Sequence, residues 1–140
     1  MRGKIGRVMV SNALPPGVDG LAPEEQQRVF DQANSQFYAS VDCALDLTEA
    51  EFEECDVRGV PGRLIRRDPS TQVLVTRDAA ITGRWRSLDL TGTYWATALD
   101  LFLESQMPDI VLVAPKRNKN FRLLAEGLQK LRDCGVAESN

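Results

Sequence analysis

The apolar positions of the chain repeat with two different periods, and the change from one to the other marks out its elements. Ile5 to Val10 forms a short β-prone run that ends at Ser11-Asn12. Asn12 to Gly20 contains Pro15, Pro16, Gly17 and Gly20 and is expected to be a loop. Pro23, Glu24 and Glu25 then suit a first helical turn. Val29, Phe30, Ala33, Phe37, Tyr38 and Val41 follow at three- and four-residue spacing, a single apolar stripe expected to face the core. Thr48-Glu49-Ala50-Glu51 matches a capping box and predicts a short acidic helix through about Cys55. Gly59-Val60-Pro61-Gly62 breaks the chain.

Arg63–Arg67 and Gln72–Arg77 are two short β-prone runs around Asp68-Pro69-Ser70-Thr71, a pattern that predicts a hairpin. Residues 78–93 carry no clear period, with Gly83, Gly92, Thr91 and Thr93 suggesting loops at both ends. Tyr94 to Gln106 is helical in pattern, with Trp95, Ala98, Leu99, Phe102 and Leu103 on one side, and Pro108 stops it. Asp109 to Ala114 is a continuous, β-branched apolar run, as in a central strand covered on both faces. Phe121 to Cys134 places Phe121, Leu124, Leu128 and Leu131 on one helical face, with Gly135 as a C-cap. Helix, buried strand, loop and helix are βαβ-type components. They predict an α/β fold with a C-terminal β-α-β-α-like half: a small sheet, parallel in its pairing, with helices packed on it. Mixed α+β is the alternative.

At 140 residues the chain suits one domain spanning 1–140, large enough to fold without disulfides or a metal. Composition adds three constraints. No stretch reaches the 18 or so apolar residues that a spanning helix needs, and the apolar run after the basic N-terminus is too short for a signal peptide. No membrane association is expected. Cys43, Cys55 and Cys134 are odd in number and lack CxxC spacing, so they are expected to be free thiols of a cytoplasmic protein. Histidine is absent, which removes the commonest metal ligand and the usual Ser/His and Cys/His pairs. No cofactor is expected.

Charge is unevenly distributed. Residues 8–60 carry eleven acidic groups against Arg28 and Arg58, a net of −9, whereas residues 58–86 carry seven arginines against Asp68 and Asp78, a net of +5. Arg63, Arg66, Arg67 and Arg77 cluster on or beside the predicted hairpin, and Arg84-Trp85-Arg86 follows. Arginines beside an aromatic suit stacking and phosphate contact on single-stranded nucleic acid, or a protein-interface anchor; Trp85 buried under a loop is the plainer alternative. Lys116, Arg117, Asn118, Lys119 and Asn120 lie between a buried strand and a helix start, where free N–H groups and basic side chains would hold a phosphate or carboxylate. A solvated basic loop fits the same residues.

The order of Asp89, helix, apolar strand, Asn118-Lys119-Asn120-Phe121 and a helix ending in Arg132 to Gly135 resembles the second half of an NYN domain, a PIN-like ribonuclease family, over residues 72–136. That resemblance implies a divalent metal held by clustered carboxylates. This chain departs from it: Asn118 and Asn120 stand at the loop positions, and Ser11-Asn12 follows the first strand where the family expects aspartate. Asparagine is a poorer ligand for a hard cation. The implied form is one without nuclease activity.

The leading expectation is a non-catalytic interaction module that binds a protein or a nucleic acid. Its arginine-rich hairpin and 115–120 loop would form one face and the acidic 42–56 segment another, which would suit an accessory or inhibitory protein of a mobile element. One alternative is a metal-dependent PIN-like nuclease using Asp89, Asp100 and Asp109; another is a binder of a small phosphorylated ligand at 115–120. Thiol counting in denaturant, on protein purified without oxidant, is expected to return three free thiols per chain, and a monomer returning one would contradict the cysteine reading.

Overall fold

In the computed structural model, which describes residues 1–12, 14 and 23–138, the fold is α/β with four helices and six strands. In chain order these are β1 (Arg2–Val10), α1 (Pro23–Ser40), β2 (Leu45–Asp46), β3 (Glu49–Val57), β4 (Ile65–Arg66), β5 (Gln72–Thr76), α2 (Arg77–Ile81), α3 (Trp95–Glu104), β6 (Asp109–Val113) and α4 (Phe121–Asp133). The predicted loop from Asn12 to Gly20 lies, apart from residues 12 and 14, outside the described residues.

The β5–β6 pair is the centre. Gln72 to Thr76 run antiparallel to Asp109 to Val113, and side-chain alternation sends the two faces into different cores. Val73, Val75, Leu112 and Ala114 join a helical cluster with Trp95, Leu99 and Phe102 of α3 and Leu124, Leu128 and Leu131 of α4. Leu74, Val111 and Val113 face the opposite way and meet Phe52, Cys55 and Val57 of β3, with Leu47 and Ile65 beside them. The continuous apolar run of residues 109–114 is thus covered on both faces, as its composition predicts. The parallel pairing predicted for this half is corrected: β5 and β6 are antiparallel, because α2 and α3 return the chain alongside β5 instead of crossing over it. The parallel pairs are β1–β3 and β2–β4.

Three further sequence expectations are corrected. The segment predicted as an acidic helix is instead a turn at Thr48 followed by strand β3, Glu49–Val57. The Thr48 hydroxyl donates to Asp46 Oδ1 at 2.7 Å instead of capping, and Ala50, Phe52, Cys55 and Val57 all turn inward. Only an extended backbone pairs this segment with β1 and places the acids of Glu49 and Glu54 opposite Arg2 and Arg7, at 3.1 and 3.4 Å. Tertiary pairing here overrides local helix propensity. The hairpin around Asp68-Pro69 does not form, since β4 pairs with β2 and β5 with β6. The apolar stripe of α1 joins neither core.

Two residues lock the helical side. Gly127 admits the Trp95 indole, whose Nε1 donates to Leu124 O at 3.0 Å; a Cβ at 127 would lie 2.6 Å from Trp95 Cδ1. Arg77 sits where β5 becomes α2 and closes the end of α3. Its Nε donates to Met107 O at 2.9 Å, its Nη1 to Leu103 O at 3.1 Å, and its Nη2 to Phe102 O and Ser105 O at 3.0 and 2.6 Å. The guanidinium also lies 5.1 Å from the centre of the Phe102 ring. The last carbonyls of a helix lack intrahelical donors and carry partial negative charge, so a fork of cationic donors satisfies both needs. All three cysteines are free thiols, Cys55 buried and the other two half-buried. No helix among the described residues is long and apolar enough to cross a membrane.

Replacing Arg77 by Met keeps the aliphatic stem and removes the donors. The expected loss is roughly 3 kcal/mol, since hydrogen bonds from a charged donor are worth about 1.5–3 kcal/mol and several carbonyls lose their partner. Arg77→Lys should recover only part of it, because an ammonium cannot span the same carbonyls. Urea unfolding midpoints of the two variants test both statements.

Candidate functional site

The cationic residues singled out from sequence differ in their partners. Arg77 is the α3 cap described above. Arg67 donates to Gly62 O at 3.1 Å and pairs with Glu138 at 3.3 Å. Arg66 lies 3.9 Å from Asp46, while Arg63 is exposed. Trp85 is 2% exposed, with its Nε1 donating to Ala80 O at 3.0 Å, so the buried alternative holds. Arg86 stacks over that ring at 4.2 Å and pairs with Asp100 at 2.7 Å; Arg84 is exposed.

The 115–120 loop spends most of its polar groups on its own fold. The Arg117 backbone N donates to Phe52 O at 2.9 Å, and its guanidinium reaches Glu53 at 3.0 Å and Ile5 O at 3.1 Å. Asn118 Nδ2 donates to Glu53 O at 3.2 Å, and its Oδ1 accepts from Asn120 N at 2.9 Å. These contacts fall where the β1–β3 pairing skips Gly6 and Glu53 and the inward spacing of β3 steps from Phe52 to Cys55. The loop therefore braces the point where the ladder lapses, the register of the two strands being the same on either side of it. Lys116 pairs with Asp68 at 2.7 Å, and Lys119 is exposed.

The three aspartates of the nuclease alternative are dispersed. The Thr91 hydroxyl, then the Thr91 backbone N that donates to Asp89 at 3.1 Å, then the charge of Lys130 lower the pKa of Asp89. Asp100 is held by Arg86, and Asp109 Oδ1 accepts from Gly62 N at 2.7 Å. Among the described residues no three acidic or cysteine side chains are grouped to hold a metal ion.

Two features emerge that sequence reasoning did not identify as sites. The first is α1. Phe30, Asn34 and Tyr38 form one row at four-residue spacing, half-buried on the side where Gln27 Nε2 donates to Asn12 O at 2.7 Å and Gln27 Oε1 accepts from Leu14 N at 3.0 Å. Val29, Ala33 and Phe37 form the adjacent row, rotated by about 100° about the helix axis, and it is exposed. Val29 is 62% and Phe37 50% accessible. The stripe is visible in the sequence; that its outer half stays uncovered is not.

The second is a groove between α3 and β3, of about 350 Å³ at one end and 190 Å³ at the other, floored by Ile110 and walled by Ala98 and Leu101. Its rim carries Glu54, Asp56, Arg58 and Tyr94. Burial, then the charges of Glu54, Cys55 and Asp56, push the Tyr94 hydroxyl up to about 12. Burial, then Asp56, pushes the Cys55 thiol up to about 12. No signal for this groove was legible, because one wall had been expected to be a helix.

Asp68 supplies a pH test. Burial opposes its ionisation, but hydrogen bonds from Lys116 and Ser70 outweigh burial and hold the carboxyl down at about 2. An unfolded aspartate titrates near 3.9, so the folded state favours the ionised form. The stabilisation is present above about pH 4 and is lost as pH falls toward about 2. Asp68→Asn should lower the urea midpoint at pH 6, and its curve should meet the wild-type curve near pH 2. Compared with family models, with curated proteins and with solved structures, the chain matches none.

Proposed function

We propose that the protein is a non-catalytic interaction module that binds a protein partner by laying the Val29–Ala33–Phe37 row of α1 into an apolar groove of that partner. The observation that carries this reading is the 18-residue helix with two large apolar side chains at least half exposed on a single row. Exposed apolar stripes of this spacing are the anchors of helix-in-groove recognition, in which residues i, i+4 and i+8 enter the partner together. The helix carries Glu24, Glu25 and Asp31 against Arg28, a net of −2, so the fitting groove has a basic rim. Phe37 and Tyr38 lie with ring centres 5.7 Å apart, an aromatic pair at the edge of this row.

A nucleic-acid partner is less well supported. Phosphate contact needs cations free to reach outward. Arg66, Arg67, Arg86, Lys116 and Arg117 are engaged with carboxylates, and Arg77 with carbonyls.

The test uses a photo-crosslinking residue in place of Ala33, with Asp100, on the exposed side of α3, as the control position. A discrete protein adduct from position 33 and none from position 100 is expected. Val29→Asp with Phe37→Asp should abolish the adduct while leaving stability within about 0.5 kcal/mol, as for exposed positions generally. An adduct that survives the double variant, or one formed with nucleic acid, would sink the reading.

A further inference from the structure

The α3–β3 groove, which plays no part in the α1 reading, combines an apolar floor with a rim of one dominant sign. Ala98, Leu101 and Ile110 line both of its ends, and Leu101 remains 47% exposed, more than its packing neighbours on α3. An apolar ligand body would remove that surface from water. The rim holds Glu54, Asp56 and Asp109 against Arg58. Arg58 is spent on Asp56 at 2.6 Å, and Asp109 Oδ1 on Gly62 N, which leaves Glu54 as the carboxylate most open to a ligand. Its pair with Arg7 is 3.4 Å long and both side chains are largely exposed, so it is weak and easily exchanged.

Tyr94 lies at the same end. Its ring packs on Trp95 at 4.5 Å between centres, which fixes it at the mouth of the groove while it stays 42% exposed. The carboxylates around it give that mouth a negative potential, and the hydroxyl, raised by burial first and by those charges second, is neutral at neutral pH. An aromatic face beside a carboxylate is the chemistry that receives an ammonium group, through cation–π attraction and ion pairing together.

We propose that this groove binds a small organic amine, with its apolar body on Ala98, Leu101 and Ile110 and its ammonium between the Glu54 carboxylate and the Tyr94 ring. An anionic ligand would meet the same rim at a cost, and a neutral one would gain only the apolar contact.

Three probes of one shape separate these terms: 2-phenylethylamine, N-acetyl-2-phenylethylamine and 3-phenylpropionate, each titrated into the ¹⁵N-labelled full chain. Saturable shifts of the Leu101, Ile110 and Asp56 amides are expected with the amine. The acetylated probe should bind about fivefold more weakly, the loss typical of a partly exposed cation–π and ion-pair contact, and the propionate weaker still. Glu54→Gln with Tyr94→Leu should bring the amine and its acetylated form to equal affinity. Leu101→Arg, a change at an exposed position, should abolish amine binding. The proposal fails if the amine gives no saturable shift, if amine and amide bind equally to wild type, or if binding survives Leu101→Arg in a variant whose thermal melt shows it folded.

Discussion

Both hydrophobic cores of the fold answer to a two-stranded antiparallel ribbon that is apolar on both faces. A pair of strands cannot hide such a surface alone. β5 and β6 therefore need two separate covers, and the rest of the chain supplies them: α2, α3 and α4 on the side of Val73, Val75 and Leu112, and β1 to β4 on the side of Leu74, Val111 and Val113. The last described residues extend the same ribbon, with Ala137 bridging Val75 and Glu138 N donating to Leu74 O at 2.9 Å. Gln72 is 1% exposed yet satisfied: its Nε2 donates to Leu47 O and its Oε1 accepts from Asp68 N, both at 3.2 Å, so this buried amide ties the ribbon to its neighbours. Arg77 belongs to the same constraint. It holds the end of α3 beside the start of β6, with only residues 105–108 between the two elements.

Electrostatics then arranges the surface. The acidic strand β3 would repel itself if its neighbours were neutral; instead Arg2, Arg7, Arg58 and Arg117 each lie within 3.4 Å of one of its carboxylates. Most of these pairs are exposed and individually contribute little. Their collective effect is on register, since a slip of one residue along β1 would set Arg2 and Arg7 away from Glu49 and Glu54. Arg63, Arg84 and Lys119 stay exposed, but the pairing of their neighbours with carboxylates shifts the functional argument from charge toward apolar contact.

That shift bears on both proposed surfaces. On α1 the row of Phe30 and Tyr38 is half-buried while the neighbouring row faces outward, so the two sides of the helix differ in what they offer a partner. In the groove the walls belong to different elements, α3 and β3, held apart by the floor of β6. Neither surface depends on the other, and each makes its own demand on a ligand: a basic-rimmed protein groove for the first, a cation on an apolar body for the second.

By itself the sequence determined the elements whose period is strong and whose ends carry local stop signals. α1, α3, α4 and β6 lie where spacing, Pro23, Pro108 and Gly135 place them, because capping, backbone freedom and amphipathic period act within a few residues. Gly135 takes a positive φ of 73°, which its lack of a Cβ permits. Tertiary structure alone decided what required a partner distant in the chain. The segment at 49–57 has a fair helix start, and only pairing with β1 and burial of Phe52 make it a strand. Arg77 had the look of one more surface cation until the end of α3 and the residues after it brought four carbonyls to it. The apolar row of α1 was legible as apolar but not as uncovered, and the α3–β3 groove was not legible at all. Burial and pairing are properties of two surfaces that meet, whereas a one-dimensional pattern records only one of them.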